Sequence, residues 1–298
     1  MKNNDLIIGI GEVLWDMLPA GKQLGGAPAN FAYHMSHFGM NSCIVSAVGC
    51  DEAGLEMIDC IREKEISFHL QKVSYPTGSV EISLSDEGIP CYDIKENVAW
   101  DNIPFTSEIE ELAHRTHAIC FGSLAQRSCI SRSTINRFLE TMRDGEGIYK
   151  IFDINLRQSY YEKDVLQDSL LKCNILKIND EELKIVSQLF HISFKSVEDC
   201  CRALLTTFHL RMIILTCGAE GSYVFTPEES SFEATRKIQV VDTVGAGDSF
   251  TAAFCAALLN GKAMKVAHRF ATEFSAFVCT EHGAMPILPR SFMEQLVD

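Results

Sequence analysis

Near the C-terminal end of the sequence runs Asp242-Thr243-Val244-Gly245-Ala246-Gly247-Asp248-Ser249-Phe250. A strand is expected to end at Val241. Phe250, Phe254, Ala257 and Leu258 then recur at helical spacing. Gly245, Ala246 and Gly247 carry almost no side chain, so their amides can approach an anion closely at the positive end of that helix. That is the chemistry of an anion hole for a phosphoryl group in transfer. Asp248, one step inside the turn, can accept a hydroxyl proton beside those amides. The helix N-terminus favours its ionised form and should lower its basicity, which in-line phosphoryl transfer tolerates. A tight glycine turn followed by a first-turn helix acid would look the same, and the segment alone leaves both readings open.

The elements around this segment alternate. Residues 6–13 read as a strand that ends near Asp16. After a short loop with Gly25-Gly26-Ala27-Pro28-Ala29-Asn30, the residues Phe31, Met35 and Phe38 mark a helix that Gly39 stops. Residues 42–48 form a β-branched strand, and Asp51 can cap a helix that buries Leu55, Ile58 and Ile61. From Ala118 onward, strands at 118–121, 149–154, 175–178 and 212–215 alternate with helical patterns. Two helices, 246–261 and 262 towards 281, close the chain. This order predicts an α/β fold with a mostly parallel central sheet and helices on both faces, built from residues 1–65 and 101–298. Residues 66–100 differ. Phe68-His69-Leu70, 79–84 and Cys91-Tyr92-Asp93-Ile94 are short and alternating, and the turn signals Tyr75-Pro76-Thr77-Gly78 and Asp86-Glu87-Gly88 separate them. They predict a small antiparallel sheet, with strand residues around 14–22, standing off the main body as a lid or a dimer contact.

Composition narrows the partners. The chain has 298 residues, enough for a sizeable core without a metal or disulfide staple. With 40 acidic against 26 basic residues, the net charge of −14 repels nucleic acid and anionic membranes. No apolar run approaches the roughly 20 residues of a membrane helix, and the N-terminal residues do not read as a secretory signal. The 12 cysteines are scattered without a CxxC pair, which fits reduced core thiols in a cytoplasmic protein.

Gly25-Gly26-Ala27-Pro28-Ala29-Asn30 and Asp242 to Phe250 occur in order. Between them stand Asp153-Ile154-Asn155-Leu156-Arg157, Asn179-Asp180-Glu181-Glu182 and Thr216-Cys217-Gly218-Ala219-Glu220-Gly221. In this conjunction the whole chain resembles the ribokinase-like (PfkB) carbohydrate kinases, fructokinases most closely. There is no P-loop pattern to compete with it. The resemblance implies a ribokinase-like fold, with Asp248 as catalytic base and Gly245, Ala246 and Gly247 as the anion hole. It places Asp16, Gly25, Gly26, Asn30, Asn155 and Arg157 at the sugar. It places Asn179, Thr216, Gly218, Gly221 and Gly247 at the nucleotide, with adenine near residues 274–283. Glu182 would organise Mg2+ through water. Several family members also hold a monovalent cation such as K+, and Asp242, Thr243 and Gly283 lie in the matching regions.

The resemblance further implies ATP as co-substrate, a homodimer through the small sheet, and transfer to the primary hydroxyl of a ketohexose, fructose giving fructose 6-phosphate. 2-Keto-3-deoxygluconate, ribose and a nucleoside are the alternative acceptors on the same chemistry. A non-catalytic sugar- or nucleotide-binding homologue is the alternative of another class. Val244, Trp15 and Ile154 depart from the fructokinase pattern. Trp15, beside Asp16, is expected to bear on the shape of the sugar pocket.

Overall fold

Leu6, Ile8 and Ile10 face one buried layer, and Ile7 faces another, along the first strand β1 (Leu6–Ile10). A strand apolar on both sides needs cover on both faces. The computed structural model, which describes residues 5–18, 21–84 and 90–297, supplies it. From β1 the chain runs through β2 (Leu14–Leu18), β3 (Gly21–Gly25), α1 (Ala27–His37), β4 (Asn41–Gly49), α2 (Glu52–Glu63) and β5 (Ser67–Val73). Next come β6 (Ser79–Leu84), β7 (Pro90–Ile94), α3 (Ser107–Arg115), β8 (Thr116–Phe121), α4 (Cys129–Thr141), β9 (Tyr149–Asp153) and α5 (Lys163–Lys172). The chain continues with β10 (Ile175–Asn179), α6 (Asp180–Leu189), α7 (Val197–Thr207), β11 (Met212–Thr216), β12 (Ser222–Phe225) and β13 (Ser230–Glu233). Helices α8 (Ala246–Leu259), α9 (Met264–Val278) and α10 (Arg290–Val297) end it.

Nine strands form the main sheet in the order β13-β12-β11-β10-β9-β8-β1-β4-β5, parallel except for the β11-β12-β13 hairpins. Helices α3 to α7 pack on the face of Ile8 and Ile10. Helices α1, α8 and α9 pack on the face of Ile7. The fold is the α/β, ribokinase-like arrangement expected. Successive strands after β1 build outward through β4 to β5, whereas β8 returns to the other side of β1. That reversal is a switch point, where ligands bind beyond the carboxyl ends of the strands.

The small sheet has the order β3-β2-β6-β7 and differs from the expectation in two ways. It is mixed rather than antiparallel, because β2 and β6 pair in parallel, Trp15 opposite Ser79. Phe68, His69 and Leu70 belong to β5, which pairs in parallel with β4 at the edge of the main sheet. The physical reason is shared: β2 leaves the main sheet directly after β1, and β6 leaves it directly after β5. The turn expected at Asp86-Glu87-Gly88 lies outside the described residues. Residues 238–241 form no strand either. The Val241 and Asp242 N–H groups donate to the Cys279 carbonyl (2.9 and 3.4 Å), so this stretch is strapped across the end of α9.

Phe274 of α9 is fully buried, with ring centroids 4.8 Å from Phe38 and 5.1 Å from Phe292. Phe274→Ala is expected to lower unfolding stability by about 3–5 kcal/mol in urea titration. A loss below about 1 kcal/mol would show that this aromatic layer does not bind α1, α9 and α10 together.

Candidate active site

Gly245 caps α8 in the left-handed region (φ 75°), and a Cβ there would lie 2.4 Å from the Ala284 Cβ. Both facts demand glycine. No side chain caps this helix. Of the expected anion-hole amides, that of Ala246 is engaged by the turn, donating to the Thr243 carbonyl (3.3 Å), and the Gly247 and Asp248 amides follow it at the positive helix end. Gly247 needs its small size for a neighbour: a Cβ on it would stand 2.7 Å from Lys177 Nζ. Lys177 on β10 is buried and pairs with Asp153 Oδ1 at the end of β9 (3.1 Å). Burial alone would push its pKa down, but the carboxylates of Asp153, Glu182 and Asp248 outweigh that and hold it above the ordinary lysine value.

Asp248 is half-buried as a residue, yet protein surrounds its carboxyl. Burial, followed by the Asp153 charge, pushes its pKa up to about 6. Asn30 Nδ2 donates to its Oδ2 (2.7 Å) and, with Lys177 and Arg157, limits the rise. The expected lowering by the helix N-terminus is therefore reversed, because desolvation of a surrounded carboxylate outweighs a helix dipole of about 0.3–1 kcal/mol.

Asn30 lies in the first turn of α1 and Asp16 in the small-sheet strand β2, not at the end of β1 as the sequence suggests. Asp16 is also pushed up to about 6 by burial, against the pull of Arg157. Gly25, on the neighbouring strand, leaves room for it: a Cβ there would come within 2.2 Å of Asp16 Oδ2. Gly26 (φ 113°) lets α1 begin beside the Glu12 carbonyl, which a Cβ would approach to 2.3 Å. Strand alternation sends Trp15 the other way. Its Nε1 donates to Ala53 O (3.0 Å) on α2, and its ring packs with Val13, Leu24, Tyr33 and Met57. On that face, away from Asp16, it docks the small sheet on the body.

Sequence reading missed two residues. Glu12, in the link between β1 and β2, is 2% exposed, and its Oε2 has no hydrogen-bond partner. Burial pushes it up to about 7; nearby backbone amides and Arg157 pull it down, and Asp248 pushes it further up. Lys177 is the other. Each is a single charged residue inside an apolar run, and that interruption was the available signal.

Asn155 sits beyond β9 in the left-handed region (φ 43°), an unusual place for a non-glycine residue. Arg157 is exposed, and it exerts its charge on Glu12, Asp16 and Asp248 together. Asn179 and Glu182 make a reciprocal capping box: Asn179 Oδ1 accepts from the Glu182 N–H (2.8 Å), and Glu182 Oε2 from the Asn179 N–H (2.9 Å). Glu182 Oε1 accepts from the Leu156 N–H (2.8 Å), which fixes the Asn155–Arg157 loop. Each carboxylate oxygen keeps a lone pair, which suits a metal-bound water. Among the described residues, no group of three or more His, Cys, Asp or Glu forms a direct metal cage.

Thr216 ends β11, opposite Asn179 of β10. Gly218 and Gly221 form the turn into β12, where the Cys217 N–H donates to Gly221 O (2.9 Å). Asp242, Thr243 and Gly283 do meet. The Asp242 carboxylate accepts from the Val244 and Gly283 N–H groups (both 3.0 Å), and so braces the glycine turn.

Asp248 in the expected role of base must be ionised, so kcat/KM should fall as pH drops through about 6, where its carboxylate takes up a proton. Asn30→Ala removes a donor that favours the ionised form. Its acid limb should move upward, by about one pH unit or less, in a pH-rate profile. An unmoved limb would show that the Asn30 hydrogen bond to Asp248 does not bear on the titrating group.

Among the curated relatives, an ATP-dependent 6-phosphofructokinase of Thermoanaerobacterium thermosaccharolyticum is 25% identical over 300 residues, covering 95% of this chain and 90% of the relative. A fructokinase of Salmonella typhimurium is 26% identical over 302 residues, covering 94% and 95%. Among solved structures, an uncharacterized sugar kinase of Pyrococcus horikoshii superposes with a TM-score of 0.84 at 23% identity, covering 99% of this chain and all of that one. Fructokinase with bound ATP from Xylella fastidiosa gives 0.82 at 19% identity, covering 99% and 98%. The description "pfkB family carbohydrate kinase" matches residues 19–290, so the chain belongs to that family and is a phosphotransferase acting on a sugar hydroxyl.

Proposed function

We propose that the protein transfers the γ-phosphoryl group of ATP to the primary hydroxyl of a ketohexose, converting fructose to fructose 6-phosphate. The observation that carries this reading is the Asp248 carboxyl. It is raised to about 6, hydrogen-bonded by Asn30, and set at an uncapped helix N-terminus above the Lys177 ammonium. The acceptor hydroxyl oxygen forms the new bond to the γ-phosphorus as the bond from phosphorus to the β,γ-bridging oxygen breaks. The proton passes to Asp248, and ADP leaves with the bridging oxygen. The Gly247 and Asp248 amides and Lys177 hold the negative charge of the phosphoryl group in transit. Asp16, Gly26, Asn30 and Asn155 present the sugar, and Thr216, Gly218 and Gly221 form the nucleotide turn. Glu182 would hold Mg2+ through water, and the ion would supply positive charge at the ATP phosphates.

Fructokinase names among the relatives support a neutral acceptor. So does charge: Arg157 faces three carboxylates, Glu12, Asp16 and Asp248, so a second phosphate on the acceptor would meet more negative than positive charge. The reading includes a homodimer through the small sheet, whose edge strand β3 is exposed at Gly21, Lys22 and Gln23. Sedimentation at the mass of one chain would remove that part.

Asp248→Asn should fold and bind sugar but lose kcat by about two to four orders of magnitude. Near-wild-type turnover would sink the mechanism. In an ADP-release assay over a sugar panel, fructose should exceed ribose, 2-keto-3-deoxygluconate and fructose 6-phosphate in kcat/KM. A hundredfold preference for any of these three would overturn the substrate assignment.

A further inference from the structure

We propose that Arg127 is a positioning residue for the acceptor site, pinning the last strand of the small sheet to the loop that carries Asn155 and Arg157. The proposal rests on the kinase reading above. Arg127 ends a short 3-10 helix (Leu124–Arg127) beyond β8, and its side chain is 8% exposed. Its guanidinium forks onto Asp101, Nε to Oδ1 at 2.8 Å and Nη2 to Oδ2 at 2.9 Å. Asp101 belongs to the 3-10 helix Ala99–Asn102, through which the small sheet rejoins the body. Nη2 also donates to the carbonyl of Lys95 (2.6 Å), one residue past β7. The same guanidinium lies between two rings, 4.1 Å from the Trp100 centroid and 4.6 Å from that of Tyr160.

Tyr160 brings in the third segment. Its N–H donates to the Arg157 carbonyl (3.0 Å), and its hydroxyl donates to Glu96 Oε1 (2.8 Å), again just past β7. On the other side, the Ser123 N–H donates to Ile154 O (3.3 Å), so the helix that bears Arg127 is itself tied to the start of that loop. One planar cation therefore fixes the root of the small sheet and the loop beyond β9 relative to each other. Lysine has neither the fork nor the flat face to do both. Asp16 stands on the small sheet and Asn155 on the loop, so their relative placement depends on this contact. The Gly247 and Asp248 amides and the Thr216 turn do not touch it. Loosening it should therefore weaken acceptor binding and spare ATP.

The test is steady-state kinetics of the full chain carrying Arg127→Lys or Tyr160→Phe, varying acceptor and ATP separately. Arg127→Lys should raise the acceptor KM about tenfold or more, and Tyr160→Phe by about two- to threefold, with kcat and the KM for ATP within about twofold of wild type. Hydrogen exchange of the β7 peptide should quicken in Arg127→Lys, while that of α8 stays unchanged. A folded Arg127→Lys with unchanged acceptor KM overturns the proposal, as do equal rises in both KM values with a lower Tm. If Arg127→Lys does not fold, Tyr160→Phe decides, and an unchanged acceptor KM overturns it. If wild type phosphorylates no sugar, the kinase reading fails instead. The exchange arm then still tests the clasp, and unaltered β7 exchange refutes it.

Discussion

The 2.7 Å hydrogen bond from Asn30 to Asp248 joins the first turns of α1 and α8, two helices 218 residues apart in sequence. Much of the architecture exists to let those two helix starts meet. Gly26 removes the side chain that would strike the Glu12 carbonyl, and Gly245 removes the one that would strike Ala284. The segment behind α8 is held from α1 as well: Tyr33 donates to Pro286 O (2.9 Å), and the buried His34 bonds Ala284 O (2.9 Å). Burial pushes the His34 pKa down to about 3, so the imidazole is neutral and donates from Nε2. Helix α1 thus grips both Asp248 and the 284–286 segment that packs against the Gly245 turn.

Around that meeting point, charges are held at high density and low hydration. Glu12, Asp153 and Glu182 are buried, and Asp248 is surrounded by protein; Lys177 and Arg157 oppose them. Taking carboxylates out of water raises their pKa values unless a cation or amide offsets it. The outcomes differ by partner. Burial raises Glu182 as well, but Lys177 and two backbone N–H groups hold that rise back, whereas Glu12 keeps an oxygen with no partner and rises to about 7. Such an arrangement is costly for folding, and it makes a carboxylate a stronger proton acceptor than it would be in a fully polar setting.

The alternation of strands and helices, the glycine turn and the acid inside it were legible in the sequence, because each leaves a local pattern: period, small residues, a cap. What was not legible depended on pairing across distance. Phe68 to Leu70 look like a half-wet antiparallel strand; they are half-wet because β5 is an edge, but they pair in parallel with β4 in the main sheet. Trp15 stands next to Asp16 in sequence and on the opposite face in space. Asn179 and Glu182 carry a motif that also spells a capping box, and the structure shows that box closed around the Leu156 amide. The raised pKa of Asp248 could not be inferred from its own turn, since burial and Asp153 are responsible.

The route of the chain through the small sheet has a kinetic consequence. Strand β3 ends at Gly25 and α1 starts at Ala27, so one residue separates the sheet that bears Asp16 from the helix that bears Asn30. Any displacement of that sheet would pass through Gly26 to the first turn of α1 and, through the Asn30 hydrogen bond, to Asp248. On the proposed kinase reading, a sugar that drew the small sheet inward would align the base by the same movement, and water, which cannot draw it inward, would meet Asp248 unaligned.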